Sequence, residues 1–153
     1  MKLLRAWADG KGITLIEVLL VIGILAVIFS AGAPVAYNFY YQSQFESEYS
    51  LLYSVLEQAR GLAMINRNES DHGVYVNSEN LVVFQGSSFA ARNADQDRSF
   101  PRSEGITING PAEVVFAALS GTTASSTYTV TDNGLRSRDV YLNSEGLVYE
   151  PNY

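Results

Sequence analysis

Glu17 is the first residue whose type and place call for chemistry. Between Ile13 and Ala36 the other residues are apolar or small apart from Thr14 and Ser30, and Glu17 sets a carboxylate among them. Carrying such a group to the centre of a bilayer costs roughly 3 kcal/mol on insertion scales. Two readings stay open: the carboxylate is hydrated at the membrane surface, or it meets a charge supplied by another subunit.

The remaining candidates point away from catalysis. His72 is the single histidine, and a general base needs a nucleophile that the sequence does not display. Standing between a helix end and a strand start, it reads as a turn or capping residue. Asn93, Asp95 and Asp97 alternate along a loop and carry oxygens suited to Ca²⁺, which takes six to eight such ligands. The loop lacks the glycine and the distal glutamate of an EF-hand, and Arg92 and Arg98 flank it, so a solvated loop and no metal are expected. With no cysteine there is no disulfide, thiolate site or cysteine nucleophile. No cofactor and no enzyme activity are expected.

Charge bounds the partners further. The formal net charge is −6, and most of the acidic residues lie beyond the apolar N-terminal stretch. General nucleic-acid affinity is therefore not expected, and Arg136 and Arg138 beside Leu135 make only a small basic patch. Tyr49, Tyr53, Tyr75, Tyr128, Tyr141 and Tyr149 fall on predicted helix or strands. They suit a contact surface and equally an ordinary sheet.

The elements that position these residues divide the chain of 153 residues into four segments, 1–12, 13–37, 38–66 and 67–153. The first carries Lys2, Arg5 and Lys11 against Asp9 and ends at Gly12, a cytoplasmic-side flank under the positive-inside rule. The second supplies the roughly 20 apolar residues a bilayer helix needs. An ordinary secretory signal is cut after its apolar run, whereas here the polar flank stops directly before it, which favours cleavage that leaves the helix on the mature protein. In the third segment Phe45, Tyr49, Leu52, Leu56, Ala59 and Ala63 recur at alternate spacings of four and three, the stripe of an amphipathic helix. Gln44, Glu46, Glu48, Ser54, Glu57 and Arg60 are assigned to its solvated side, and the helix is expected to end near Asn66.

The fourth segment changes period. Short runs rich in Val, Ile, Tyr and Phe lie at 74–76, 81–84, 106–108, 114–116, 128–130, 140–142 and 147–149, the pattern of strands. Asn77 to Asn80, Asn109-Gly110-Pro111, Ser120-Gly121, Asp132-Asn133-Gly134 and Asn143 to Gly146 separate them, each short enough for a hairpin. The gap from Gln85 to Arg102 reads as an excursion from the sheet. The expected fold class is α+β, a long N-terminal helix packed on an antiparallel sheet.

The string Gly12-Ile13-Thr14-Leu15-Ile16-Glu17-Val18-Leu19, followed by its apolar run, resembles the class III signal of type IV prepilins and type II secretion pseudopilins. That resemblance implies a prepilin peptidase that cuts between Gly12 and Ile13 and methylates the new amine of Ile13. It implies that Glu17 neutralises the N-terminal amine of a neighbouring subunit, and that Pro34 is the helix-bending proline of many pilins. Proline removes a helical N–H and crowds the preceding turn, which agrees. The head is similar to the GspH/FimT class of minor pilins and pseudopilins. The similarity rests on His72-Gly73-Val74, on Val115-Phe116 leading to Ser120-Gly121, and on the closing run Val140 to Val148.

The resemblance implies a single-pass inner-membrane protein with its head outside the cytoplasm, a structural and minor subunit of a type II secretion pseudopilus. The alternative is a minor type IV pilin serving pilus assembly, adhesion, twitching or DNA uptake. Implied partners are the prepilin peptidase, other pilins in a filament, the inner-membrane assembly platform and membrane lipid.

Overall fold

A computed structural model describes residues 12–132 and 136–150, and for 31–37 only the helical backbone. The basic flank, the Asn133-Gly134 turn and Leu135 lie outside the described residues. The protein divides into two compact units, Met1–Phe39 and Tyr40–Tyr153. Helix α1, Leu15–Met64, contributes to both.

In the second unit α1 is followed by eight strands. They are β1 (His72–Val76), β2 (Asn80–Gln85), β3 (Arg98–Pro101), β4 (Ile106–Asn109), β5 (Glu113–Phe116), β6 (Ser126–Asp132), β7 (Arg136–Leu142) and β8 (Val148–Tyr149). The expected α+β class holds, with one difference: the strands form two four-stranded antiparallel sheets, ordered β3-β2-β1-β5 and β4-β6-β7-β8. Two of the expected hairpins are therefore crossings. The turn at Asn109-Gly110-Pro111 leads from β4 in one sheet to β5 in the other, and the segment containing Ser120-Gly121 leads back to β6.

The helix ends close to its expected place. Asn66 adopts a left-handed conformation at φ 52°, and its N–H donates to Ala63 O at 2.9 Å. Asparagine tolerates that conformation better than most residues, which makes it a suitable stop. The predicted stripe from Phe45 to Ala63 is buried throughout, joined by Val55, and packs on Val74, Leu81, Val83 and Phe116 of the first sheet and Tyr128, Val130, Val140 and Leu142 of the second.

The excursion after Gln85 is tied down more closely than its composition suggests. Its last part is β3, which pairs with β2 at the sheet edge, where a Pro101 without an N–H is tolerated. The rest covers the outer face of the first sheet. Phe89 stacks on Tyr75 at 3.8 Å between centroids and meets Phe84 edge to face at 5.7 Å. The Arg92 guanidinium lies 3.7 Å from the Phe89 centroid and pairs with Asp97 at 2.7 Å. Phe84 is fully buried as a result, and its ring occupies the space over Gly73, where an added Cβ would stand 2.4 Å from Cζ.

Glu48 overturns its assignment to the solvated side. It follows Phe45 by three residues and precedes Leu52 by four, so helical geometry places it on the core face, where it is 1% exposed. Arg102 compensates for the burial. Its Nε donates to Glu48 Oε1 at 2.8 Å, Nη1 to Asn77 O at 2.6 Å and Nη2 to Ile106 O at 3.0 Å, while Ser103 N–H donates to Glu48 Oε2 at 2.9 Å. Removing one member of a buried pair leaves the other charged and desolvated. Glu48→Ala is expected to destabilise the fold by about 3–5 kcal/mol, and Glu48→Leu combined with Arg102→Met to recover most of that loss. Urea denaturation followed by circular dichroism measures both; a Glu48→Ala loss below about 1 kcal/mol would mean that the pair behaves as a hydrated surface bridge.

Candidate functional site

The N-terminal unit holds the residues that the sequence singles out. Gly12 and Ile13 precede the helix in exposed backbone outside any regular element, and a Cβ added at Gly12 would meet nothing within 4 Å. Thr14 is the residue that sequence reasoning missed. Its Oγ1 accepts from Glu17 N–H at 3.3 Å, and its carbonyl accepts from Glu17 and Val18 N–H at 3.1 and 3.2 Å. Thr14 therefore caps the helix, and Glu17 stands at the third helical position, the spacing of a capping box. The T-x-x-E pattern ahead of an apolar run was the available signal. A carboxylate in the first turn also faces the positive end of the helix dipole, a local role for Glu17 compatible with either of the two readings above.

From Leu15 to Phe29 the helix shows apolar side chains on every side. Leu15 is 79% exposed, Ile16 73% and Phe29 72%, and Val18, Leu19, Leu20, Val21, Ile22, Ile24, Leu25, Val27 and Ile28 are all exposed as well. A helix that is apolar all round needs lipid or protein around it. Among the described residues no helix is long and apolar enough to cross a membrane. The part with described side chains ends at Ser30, short of the roughly 20 residues a bilayer requires. The remainder of the expected span, including the Pro34 side chain and any bend it makes, lies outside the described side chains.

In the head the candidate residues are mostly engaged with one another. Arg138 pairs with Glu46 at 2.7 Å and Glu150 at 3.0 Å and lies 4.1 Å from the Tyr49 centroid, while Arg136 pairs with the buried Asp132 at 3.3 Å. Asn93 caps a short 3₁₀ turn, Ala94–Gln96, by accepting from Asp95 N–H, and Asp97 is held by Arg92. Among the described residues no group of three or more His, Asp or Glu side chains is placed to hold a metal ion. The tyrosines divide between roles. Tyr49 and Tyr128 are core residues with phenol pKa values pushed up mainly by burial, whereas Tyr141 and Tyr149 stack at 5.7 Å and Tyr149 is exposed.

No family model matches the sequence, and no curated protein matches it. Among solved structures the protein is similar to the minor pseudopilin EpsH from the type 2 secretion system of Vibrio cholerae. The TM-score is 0.55 and the identity 16%, over 71% of this chain and 96% of that one. The fold is pseudopilin-like. At that identity the likeness lies in the arrangement of the helix and the antiparallel strands, so chemical readings must come from the residues present here.

His72 is more than the turn residue expected. It opens β1, is 3% exposed, and its Nδ1 lies 3.0 Å from Ser70 O, so the carbonyl accepts a proton carried on Nδ1. Burial first, then the Arg67 charge, holds its pKa below 6.5, opposed by the Ser70 bond and Asp71. A histidine that resists protonation when folded takes up its proton more readily when unfolded, so the unfolded state binds more protons below pH 6.5. Its contribution to stability is full above that value and declines as pH falls from 6.5 towards the folded pKa. Urea midpoints of wild type and His72→Gln are expected to converge as pH drops from 7.5 to 5. A constant gap between them would show that His72 does not titrate differently in the two states.

Proposed function

We propose that this protein is a non-catalytic structural subunit, of the minor class, of a type II secretion pseudopilus. It is held in the inner membrane by the helix that begins at Leu15, with its head outside the cytoplasm, until it enters the filament. The observation that carries this reading is the all-round apolar surface of residues 15–29 on a protein with a pseudopilin-like fold. Lipid supplies the cover before assembly and the corresponding helices of neighbouring subunits supply it afterwards.

In this reading a prepilin peptidase cleaves between Gly12 and Ile13 and methylates Ile13. The open backbone around Gly12 suits an enzyme that accepts no side chain before the scissile bond. After cleavage Glu17 lies four residues from the new amine, and in a filament its carboxylate meets the amine of another subunit. An unpaired charge costs far more than a paired one where water is excluded, so the pairing favours one axial register. The inner-membrane platform and the other pilins are the remaining partners, and Pro34 lets the helix bend where the subunits pack.

Mass spectrometry of the protein recovered from membranes is expected to find a mature form that begins at methylated Ile13. Glu17→Val should be cleaved about as well as wild type, since an apolar residue suits the bilayer better, yet be recovered at least about tenfold less in sheared or cross-linked filaments. A mature form that begins after Ala31 would mean an ordinary signal peptide and end the filament reading. Normal incorporation of Glu17→Val would leave Glu17 a first-turn carboxylate at the helix dipole and nothing more.

A further inference from the structure

The head's arginines are not all alike. Arg60, Arg92, Arg102, Arg136 and Arg138 each lie within ion-pair distance of a carboxylate, as expected in a protein whose acidic residues outnumber its basic ones, 16 to 10. Among the described residues Arg67 and Arg98 form no ion pair. Both are exposed, one on the 3₁₀ turn Arg67–Glu69 and the other opening β3, and both line the same small pocket of about 20 Å³. His72, Gln85 and Gln96 supply its other polar walls, and no carboxylate lines it.

The surroundings prepare this pocket to receive an acceptor. Gln85 Oε1 is already occupied by Asn68 Nδ2 at 2.8 Å, which leaves the Gln85 amide N–H groups as donors. The same bond ties the 3₁₀ turn to β2 and thereby holds Arg67 at the pocket's mouth. Asn66, Asn68 and Glu69 all have positive φ, between 52° and 56°, an unusual concentration for residues other than glycine and a backbone cost that marks this turn.

We propose that the pocket binds a carboxylate presented by a protein partner, as an Asp or Glu side chain or a C-terminal carboxylate. Its interior has the size of one or two water molecules, enough for the oxygens of a carboxylate. Two guanidinium groups supply forked donors that match that geometry. The net charge of −6 opposes a nucleic-acid backbone, whose affinity depends on many phosphate contacts, but a single carboxylate needs only the local field. His72 reports occupancy. The charges acting on it are Arg67 from the 3₁₀ turn and its neighbour Asp71, whose Oδ1 accepts from Ala118 N–H at 2.8 Å, while Arg98 from β3 lines the same pocket. An added carboxylate offsets the Arg67 charge and makes the ring easier to protonate. The proposal stands independently of the filament reading.

The test uses the full-length protein in nonionic detergent, where the single histidine yields one set of imidazole resonances. An N-acetylated tetraglutamate peptide is the probe, with acetate, inorganic phosphate and a DNA oligonucleotide titrated in parallel. The peptide is expected to shift the His72 signals and raise the pKa they report, and acetate to do so more weakly. Binding is expected to fall about tenfold in Arg67→Gln/Arg98→Gln while the thermal midpoint stays unchanged. The single variants, each with a partial loss, decide the matter if the double variant misfolds. No shift with the peptide, or a shift that survives all three variants, overturns the proposal. Tighter binding of phosphate or DNA than of the peptide at equal ionic strength overturns it in favour of a phosphate site.

Discussion

The buried contact between Glu48 and Arg102 is the interaction on which the head's arrangement depends. A carboxylate 1% exposed and a guanidinium 6% exposed are tolerable only when each of their polar atoms has a partner, as here. The four bonds that satisfy them come from separate parts of the sequence: the helix at Glu48, the β1–β2 turn at Asn77, the start of β4 at Ile106 and the connection at Ser103. Separately, the Arg102 backbone N–H donates to Glu79 O at 2.9 Å and fixes the main chain there. Arg102 stands where the backbone leaves the first sheet for the second. Any packing that rotated the helix or slid one sheet past the other would strand a desolvated charge, so the pair selects one arrangement from several that apolar contacts alone would allow.

Close approaches elsewhere in the head reinforce that selection. Gly146, at φ 75°, lies against Gly121, so that an added Cβ would stand 1.9 Å from the Gly121 carbonyl oxygen. This brings the β7–β8 turn against the crossing between β5 and β6. At Gly73 the absence of a side chain lets the Phe84 ring lie across β1 and anchor Phe89 above it, which turns a polar excursion into a cover for the first sheet. The head thus closes its core with its own residues. The apolar surface of 15–29 has no such cover among the described residues, and that contrast between a head with a closed core and an uncovered apolar helix is the physical basis for the assembly role proposed above.

Much of this was legible in the residues. The four-and-three spacing from Phe45 to Ala63 identified the buried face because helix periodicity is local and needs no partner to express itself. The same rule applied to Glu48 would have placed it in the core, but its charge argued for solvent, and composition outweighed geometry. Thr14 could have been read as a cap from T-x-x-E taken as a unit, a signal that went unread. β3 was not, since Arg98-Ser99-Phe100-Pro101 has neither the apolar content nor the alternation of a strand and is held there by its pairing with β2.

By itself the sequence determined what depends on near neighbours: the helix with its cap and its stop, the change to strand period after Asp71, the apolar character of the N-terminal segment, and Glu17 within it. Tertiary structure alone decided how the strands divide into two sheets, that Arg102 answers Glu48 from 54 residues away, and that Arg67 and Arg98 share a pocket with His72. The reason is physical. Local spacing sets which face a side chain takes, whereas the partner of a buried or clustered charge is set by where distant segments meet, and no short-range pattern encodes that meeting.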